Sequence, residues 1–239
     1  MSAALFKVRH RDKEFYLAQL AALAERYDEV VEHMKQVIKT NPQLSVEERN
    51  LLSVAYKNKV GRLRGAWRST CAVAKTALPT EAQYAEEYKK KAEEEGIQSC
   101  EEMITLLEDQ LLPHTVEPES KVFFLKMRGD YYRYLAELRG ESNQATAELA
   151  RKANEEAWES VQEQLPAVHP IRLGLMLSRA VFSYEILQQK EEACQIARQA
   201  FEAGLEELDA IPEEHYKDST QILQMLRDHL TQWASIEVR

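Results

Sequence analysis

Seven prolines, at positions 42, 79, 113, 118, 166, 170 and 212, cut this chain of 239 residues into pieces of helical length. Proline cannot continue a helix interior, because it lacks the N–H that the ladder needs and its ring clashes with the preceding turn. Gly140 with Glu141 and Ser142, and the polar run from Gln188 to Lys190, supply two further breaks. The pieces between predict about nine helices, near residues 5–23, 26–39, 46–76, 80–112, 119–139, 143–165, 170–187, 190–209 and 215–236. No segment alternates like a strand. Ser45, with Glu48 three residues on, has the form of a capping box, and Thr80 before Glu81 reads the same way. Short connections favour antiparallel neighbours, so the expected class is all-α, a stack of antiparallel helical hairpins. Composition alone allows a tetratricopeptide array as well, but no pattern recurs at the period of about 34 residues that such an array needs.

The balance of residues narrows the function classes. Only 7 glycines and 7 prolines beside 30% charged residues suits a helical bundle or repeat. A formal net charge of -9 argues against a general nucleic-acid binder. No apolar run approaches the ~20 residues that span a bilayer, and the first residues, MSAALFKVRHRDKEF, lack the apolar core of a signal peptide. A soluble, cytoplasmic protein with no membrane partner is expected. Cys71, Cys100 and Cys194 are odd in number and far apart, which fits a reducing compartment and no metal.

The stretch Arg49 to Lys75, RNLLSVAYKNKVGRLRGAWRSTCAVAK, contains no proline and reads as one long two-faced helix. At about 100° per residue, Lys57, Gly61, Arg64 and Arg68 form a narrow cationic stripe, with Leu52, Ala55, Leu63, Ala66, Thr70 and Val73 roughly opposite. Gly61 costs about 1 kcal/mol of helix propensity against alanine, so something is expected to approach the backbone there, an anion between Lys57 and Arg64 being one candidate. The alternative is a solvated charged face.

The wording of this stretch, RNLLSVAYKN followed by G, R and W, resembles the N-terminal signature of the 14-3-3 family. Tyr216 to Trp233, YKDSTQILQMLRDHLTQW, resembles its C-terminal signature. KVFFLKMRGDYYRYLAE (Lys121 to Glu137) and HPIRLGL (His169 to Leu175) are similar to two further family segments in the same order. The resemblance implies one helical domain over residues 1–239, about nine antiparallel helices forming a cup, and a dimer. It implies that Leu20, Ala24, Arg26 and Glu29 meet Ala66, Thr70, Val73, Tyr88 and Lys91 of a second subunit, as homodimer or as heterodimer with another 14-3-3 chain. Taken alone, the apolar edge Leu20, Leu23 and Ala24 could equally be core.

Lys126, Asp130, Arg133 and Glu137 share one face of the fifth predicted helix, with Tyr134 about a quarter turn away. Taken alone this is an intrahelical ion-pair ladder. The resemblance implies instead that Arg133 and Tyr134 join Lys57 and Arg64 in a phosphate pocket, with Asp130 orienting the arginines. Three cations and a phenol suit a phosphoserine or phosphothreonine monoester, which carries about -1.5 to -2 charges and three acceptor oxygens. Leu177, Val181, Ile222 and Met225 read as ordinary core, whereas the resemblance places them on the apolar wall of a peptide groove, with Glu185 and Trp233 near the bound backbone. Members of the family usually carry asparagine where this chain has Ser178 and His229, so the grip on that backbone is expected to be loosened or altered. The last helix is expected to end close to Arg239 without the acidic tail that many members carry.

No GxSxG elbow, phosphate-binding GxxxxGKS/T, HExxH or DxDxDG loop occurs. An enzyme is not expected, nor a cofactor. His169 beside Pro170 reads as a structural hydrogen-bonding residue; His114 and His215 fall in predicted connections. Two function classes remain: a dimeric adaptor that holds phosphorylated proteins or peptides, and a scaffold of the same fold that acts through other surfaces.

Overall fold

The computed structural model describes residues 3–140, 144–162 and 164–237. Glu141 and Ser142 beside Gly140, the helix start expected at 143, and Arg239 lie outside the described residues; the helix expected to run to 165 ends at Gln162. The described residues form nine α-helices and no strand: α1 (Ala3–Leu23), α2 (Tyr27–Thr40), α3 (Val46–Thr76), α4 (Ala82–Leu106), α5 (Pro118–Arg139), α6 (Gln144–Gln162), α7 (Pro170–Glu185), α8 (Lys190–Glu206) and α9 (Glu213–Glu237). No helix among them is long and apolar enough to cross a membrane.

Local chemistry explains most of these ends. At the start of α3 the capping box is complete: the Glu48 N–H donates to Ser45 Oγ at 3.2 Å, and the Ser45 N–H donates to Glu48 Oε2 at 2.8 Å. Arg11 adds an ion pair to the same carboxylate at 2.7 Å. The expected cap at Thr80 is not formed. The Leu78 carbonyl accepts the N–H groups of both Glu81 and Ala82, at 2.8 and 2.9 Å, so a turn over Pro79 and Thr80 closes before the helix begins at Ala82. After Leu106 the helix widens into a π-helical stretch, Leu107–Leu111, then tightens into a 3-10 turn, Leu112–His114. Helix α7 stops two residues earlier than expected because Gln188 adopts φ 57°, letting Gln189 donate back to the Ser183 carbonyl at 2.9 Å. His215 lies inside α9, not in a connection.

The chain divides into two compact units, Met1–Val116 with Leu138–Gly140, and Glu117–Glu137 with Glu141–Arg239. In the first unit α1 packs on α2, α2 on α3, and α3 on α4. Helices joined by short connections and packed on each other run antiparallel. Val30, Met34, Ile38, Leu52, Tyr56, Met103 and Leu107 are fully buried between them. In the second unit α7, α8 and α9 pack mutually around Leu173, Met176, Ala197, Leu223 and Leu226. Gly204 permits that closeness: a Cβ there would come within 2.8 Å of Leu223 and 3.0 Å of Leu173. Helix α5 reaches the same unit through Gly129 against Asn154 of α6 and Lys126 against Gly174 of α7.

Candidate functional site

In the first unit, α3 carries Lys57, Gly61, Arg64 and Arg68 on one side while Leu52, Ala55, Tyr56 and Val60 bury the other. Lys57, Gly61 and Arg68 are exposed and Arg64 is half-buried. Among the described residues no carboxylate pairs with Lys57, whereas Lys59 two residues on reaches Asp28 at 3.5 Å and Arg62 reaches it at 3.0 Å. A Cβ built on Gly61 meets nothing within 4 Å, so no packing inside the protein requires glycine there.

In the second unit, α5 presents a charge network. Lys126 donates to Asp130 at 2.7 Å, and Arg133 lies 3.6 Å from the other oxygen of that carboxylate. The Arg133 guanidinium also reaches Glu185 of α7 at 3.4 Å and covers the Tyr134 ring, 4.5 Å from its centroid. Tyr134 in turn meets Tyr131 edge-on at 5.5 Å. Burial opposes the charge on Asp130, but Lys126 and Arg133 outweigh it and hold the carboxyl below its ordinary range, with a hydrogen bond from Ser178 adding to the effect. Burial likewise opposes the Arg133 charge, and Tyr134, Asp130, Glu185 and Glu137 together hold it above its ordinary value. The result is a nearly buried guanidinium fixed in place and flanked by acceptors.

Helices α7 and α9 form the apolar side of this unit. Leu177, Val181 and Ile222 are half-buried against its core, and Met225 is exposed. Trp233 is only 4% exposed and stacks on Tyr184 at 4.5 Å with an interplanar angle of 8°, so its faces serve packing first. His229 meets the edge of Trp233 at 5.3 Å, and its Nδ1 lies 2.9 Å from the Met225 carbonyl. A carbonyl can only accept, so Nδ1 carries the hydrogen, and the neutral ring keeps just its Nε2 acceptor for anything outside. Ser178 is buried beside Asp130 and helps to hold that carboxyl down. His169 caps α7, its Nδ1 accepting from the Ile171 N–H at 3.2 Å, which is the structural role expected of it. Among the described residues no group of three or more His, Cys, Asp or Glu is arranged to hold a metal ion.

The family model described as 14-3-3 protein matches residues 17–234. The chain belongs to the 14-3-3 family. It is similar to 14-3-3 protein zeta of Bombyx mori, 49% identical over 221 residues that cover 91% of this chain and 90% of that protein. It is also similar to checkpoint signal transducer rad24 of Schizosaccharomyces pombe, 46% identical over 230 residues covering 94% and 85%. With 14-3-3-like protein GF14 iota of Arabidopsis thaliana it shares 44% identity over 232 residues, covering 95% and 87%.

The 14-3-3 segments quoted from the sequence fall on α3, α5, α7 and α9. In the first unit of this 14-3-3 chain, Leu20, Ala24, Val73, Tyr88 and Lys91 are exposed, and Ala66 and Thr70 are half-exposed. Arg26 and Glu29 form an ion pair with each other within the chain. One participant was invisible to sequence reasoning about the site. Lys126, the closer partner of Asp130, already belongs to the ladder that the i, i+4 spacing on α5 shows. Tyr184, which fixes Trp233, had no such signal, because stacking across two helices leaves no trace in spacing.

Proposed function

We propose that this 14-3-3 chain is a dimeric signalling adaptor that binds phosphoserine or phosphothreonine segments of other proteins, with Lys57, Arg64, Arg133 and Tyr134 as the phosphate-binding set. The observation that carries the reading is the retention of all four groups in a chain of this family. The exposed Lys57 ammonium has no carboxylate partner among the described residues, and Arg133 is held against Tyr134 by Asp130 and Glu185. A fixed guanidinium loses less freedom when it binds an oxyanion, which favours affinity. Leu177, Val181, Ile222 and Met225 supply the apolar wall for the flanking residues, and the exposed Leu20, Val73 and Tyr88 supply the dimer face.

The test is fluorescence polarisation with a fluorescein-labelled phosphoserine peptide and its unphosphorylated twin. Each charge-assisted hydrogen bond is worth about 1.5 to 3 kcal/mol, so Lys57→Glu should abolish detectable binding of the phosphorylated form. Equal binding of both peptides, or an unimpaired Lys57→Glu variant, refutes the reading.

One set of observations favours a second reading, a scaffold of the same fold with weakened phosphopeptide binding. His229 turns its Nδ1 hydrogen inward to the Met225 carbonyl and Ser178 is buried, which leaves less for a ligand backbone. Failure of every phosphopeptide in a library screen, in a folded dimer, is the outcome that selects it.

A further inference from the structure

Among the described residues no carboxylate forms an ion pair with Arg179. Its side chain is half-buried, and burial pulls its guanidinium below the ordinary arginine value. Its one hydrogen-bonding neighbour among the described residues is the thioether of Met176 at 3.8 Å, a weak acceptor. Glu155 of α6 and Glu192 of α8 act on it only from beyond ion-pairing distance, and Glu155 is already engaged by Arg151. A desolvated charge left in this state costs stability, and such groups call for an explanation.

Its surroundings fix its direction. The guanidinium lies over the indole of Trp158 on α6, 4.8 Å from the ring centroid, and Arg172 approaches the same indole at 5.5 Å. Arg172 is itself anchored, donating to the Leu165 carbonyl at 2.7 Å. Seven residues apart on α7, the two arginines share one stripe to within about 20°, and Leu177 and Val181 lie some 140–180° away on the far side of the helix. The pair therefore belongs to a different face of α7 from the proposed groove. An arginine stacked on an aromatic ring keeps its planar N–H edge for an oxyanion.

We propose that the α6–α7 face around Trp158, Arg172 and Arg179 is a second binding surface, which takes a carboxylate from an acidic segment of a partner protein. The charge count selects the carboxylate. With Glu155 and Glu192 close by, a dianionic phosphate meets more repulsion than a single carboxylate does. This surface rests on the adaptor reading only in drawing its ligand from a bound client. It uses none of the residues assigned to the phosphate pocket.

The experiment uses the full chain carrying Lys57→Glu, so that the proposed phosphate pocket is disabled, and a fluorescein-labelled hexaglutamate peptide read by fluorescence polarisation. Saturable binding that weakens with salt is expected, and adding Arg179→Gln should weaken it about tenfold. Inorganic phosphate should compete no better than acetate at equal concentration. Thermal melting separates a binding role from a packing one: Arg179→Met should raise Tm, since it removes an unpaired desolvated charge. Absence of saturable binding, indifference to Arg179→Gln, preferential competition by phosphate, or a lowered Tm for Arg179→Met each overturns the proposal. The phosphoserine peptide should bind the Arg179→Gln protein with intact Lys57 as it binds the parent, so failure of this surface and failure of the phosphate pocket are read separately.

Discussion

Lys126 donates to the Asp130 carboxylate at 2.7 Å from one turn earlier on α5, and that pairing leaves the second carboxylate oxygen facing Arg133. Removing the carboxylate leaves two cations close together in a poorly solvated place. Asp130→Asn should therefore destabilise the protein by about 3 kcal/mol at neutral pH, read as a lower midpoint in urea unfolding. Because the folded-state pKa of Asp130 is held below its unfolded value, its contribution is full above the ordinary carboxylate range and disappears as pH falls through the folded value. The gap between parent and variant should close in strong acid. A gap that persists there means the asparagine acts by another route.

Two glycines make opposite predictions. Gly204→Ala drives a Cβ into Leu223 and Leu173 in the core of α7, α8 and α9, and should cost about 1–3 kcal/mol. Gly61→Ala meets open space on an exposed helix face and should stabilise by about 1 kcal/mol. Melting temperatures check both signs. If a bound ligand approaches the backbone at Gly61, the same alanine should also weaken phosphopeptide binding. Unchanged affinity in the stabilised variant would separate Gly61 from the ligand.

The dimer face is tested by mass. Light scattering at micromolar concentration should give twice the chain mass, and Leu20→Glu, which places a charge on the exposed edge of α1, should halve it. A parent protein that runs as a monomer removes the dimer from the proposed function. The Arg26–Glu29 pair must open or be shared if either group is to meet a second subunit, so the dimer should loosen only modestly when salt is raised.

The wall formed by Ser178 and His229 is tested by restoring amides. An asparagine offers donors and acceptors together, and at roughly 0.5–1.5 kcal/mol per hydrogen bond the double variant Ser178→Asn/His229→Asn should bind one phosphopeptide about 5- to 150-fold more tightly than the parent. No gain from the two asparagines means that these positions do not limit affinity.

What the sequence revealed and what it concealed divide along the range of the interactions. Proline positions, the Ser45–Glu48 spacing and the two-faced pattern of α3 are local, and all reappear in the structure because the backbone chemistry behind them acts within a turn or two. Thr80 misled for the same local reason, since the Leu78 carbonyl competes for the donors a cap needs. The Lys126–Asp130–Arg133 ladder was legible from i, i+3 and i, i+4 spacing. Its extension to Ser178 and Glu185 was not, because it joins residues some fifty positions apart that only tertiary packing brings together. Trp233 shows the same limit: its stacking on Tyr184 joins two helices and leaves no trace in spacing.

The wide turn at Leu107–Leu111 holds one residue more than a regular helix would use there, and the surplus is absorbed within the bulge. Leu107 and Leu111 are both fully buried on either side of it. Deleting the exposed Asp109 would let the hydrogen-bond ladder revert to regular spacing with the two leucines three positions apart, about 60° from each other around the axis and still on one face. A loss of one residue, which in a regular helix rotates everything beyond it by about 100°, should therefore be tolerated at this point of the chain. The bulge is a place inside a helical segment where chain length can change without moving the interior.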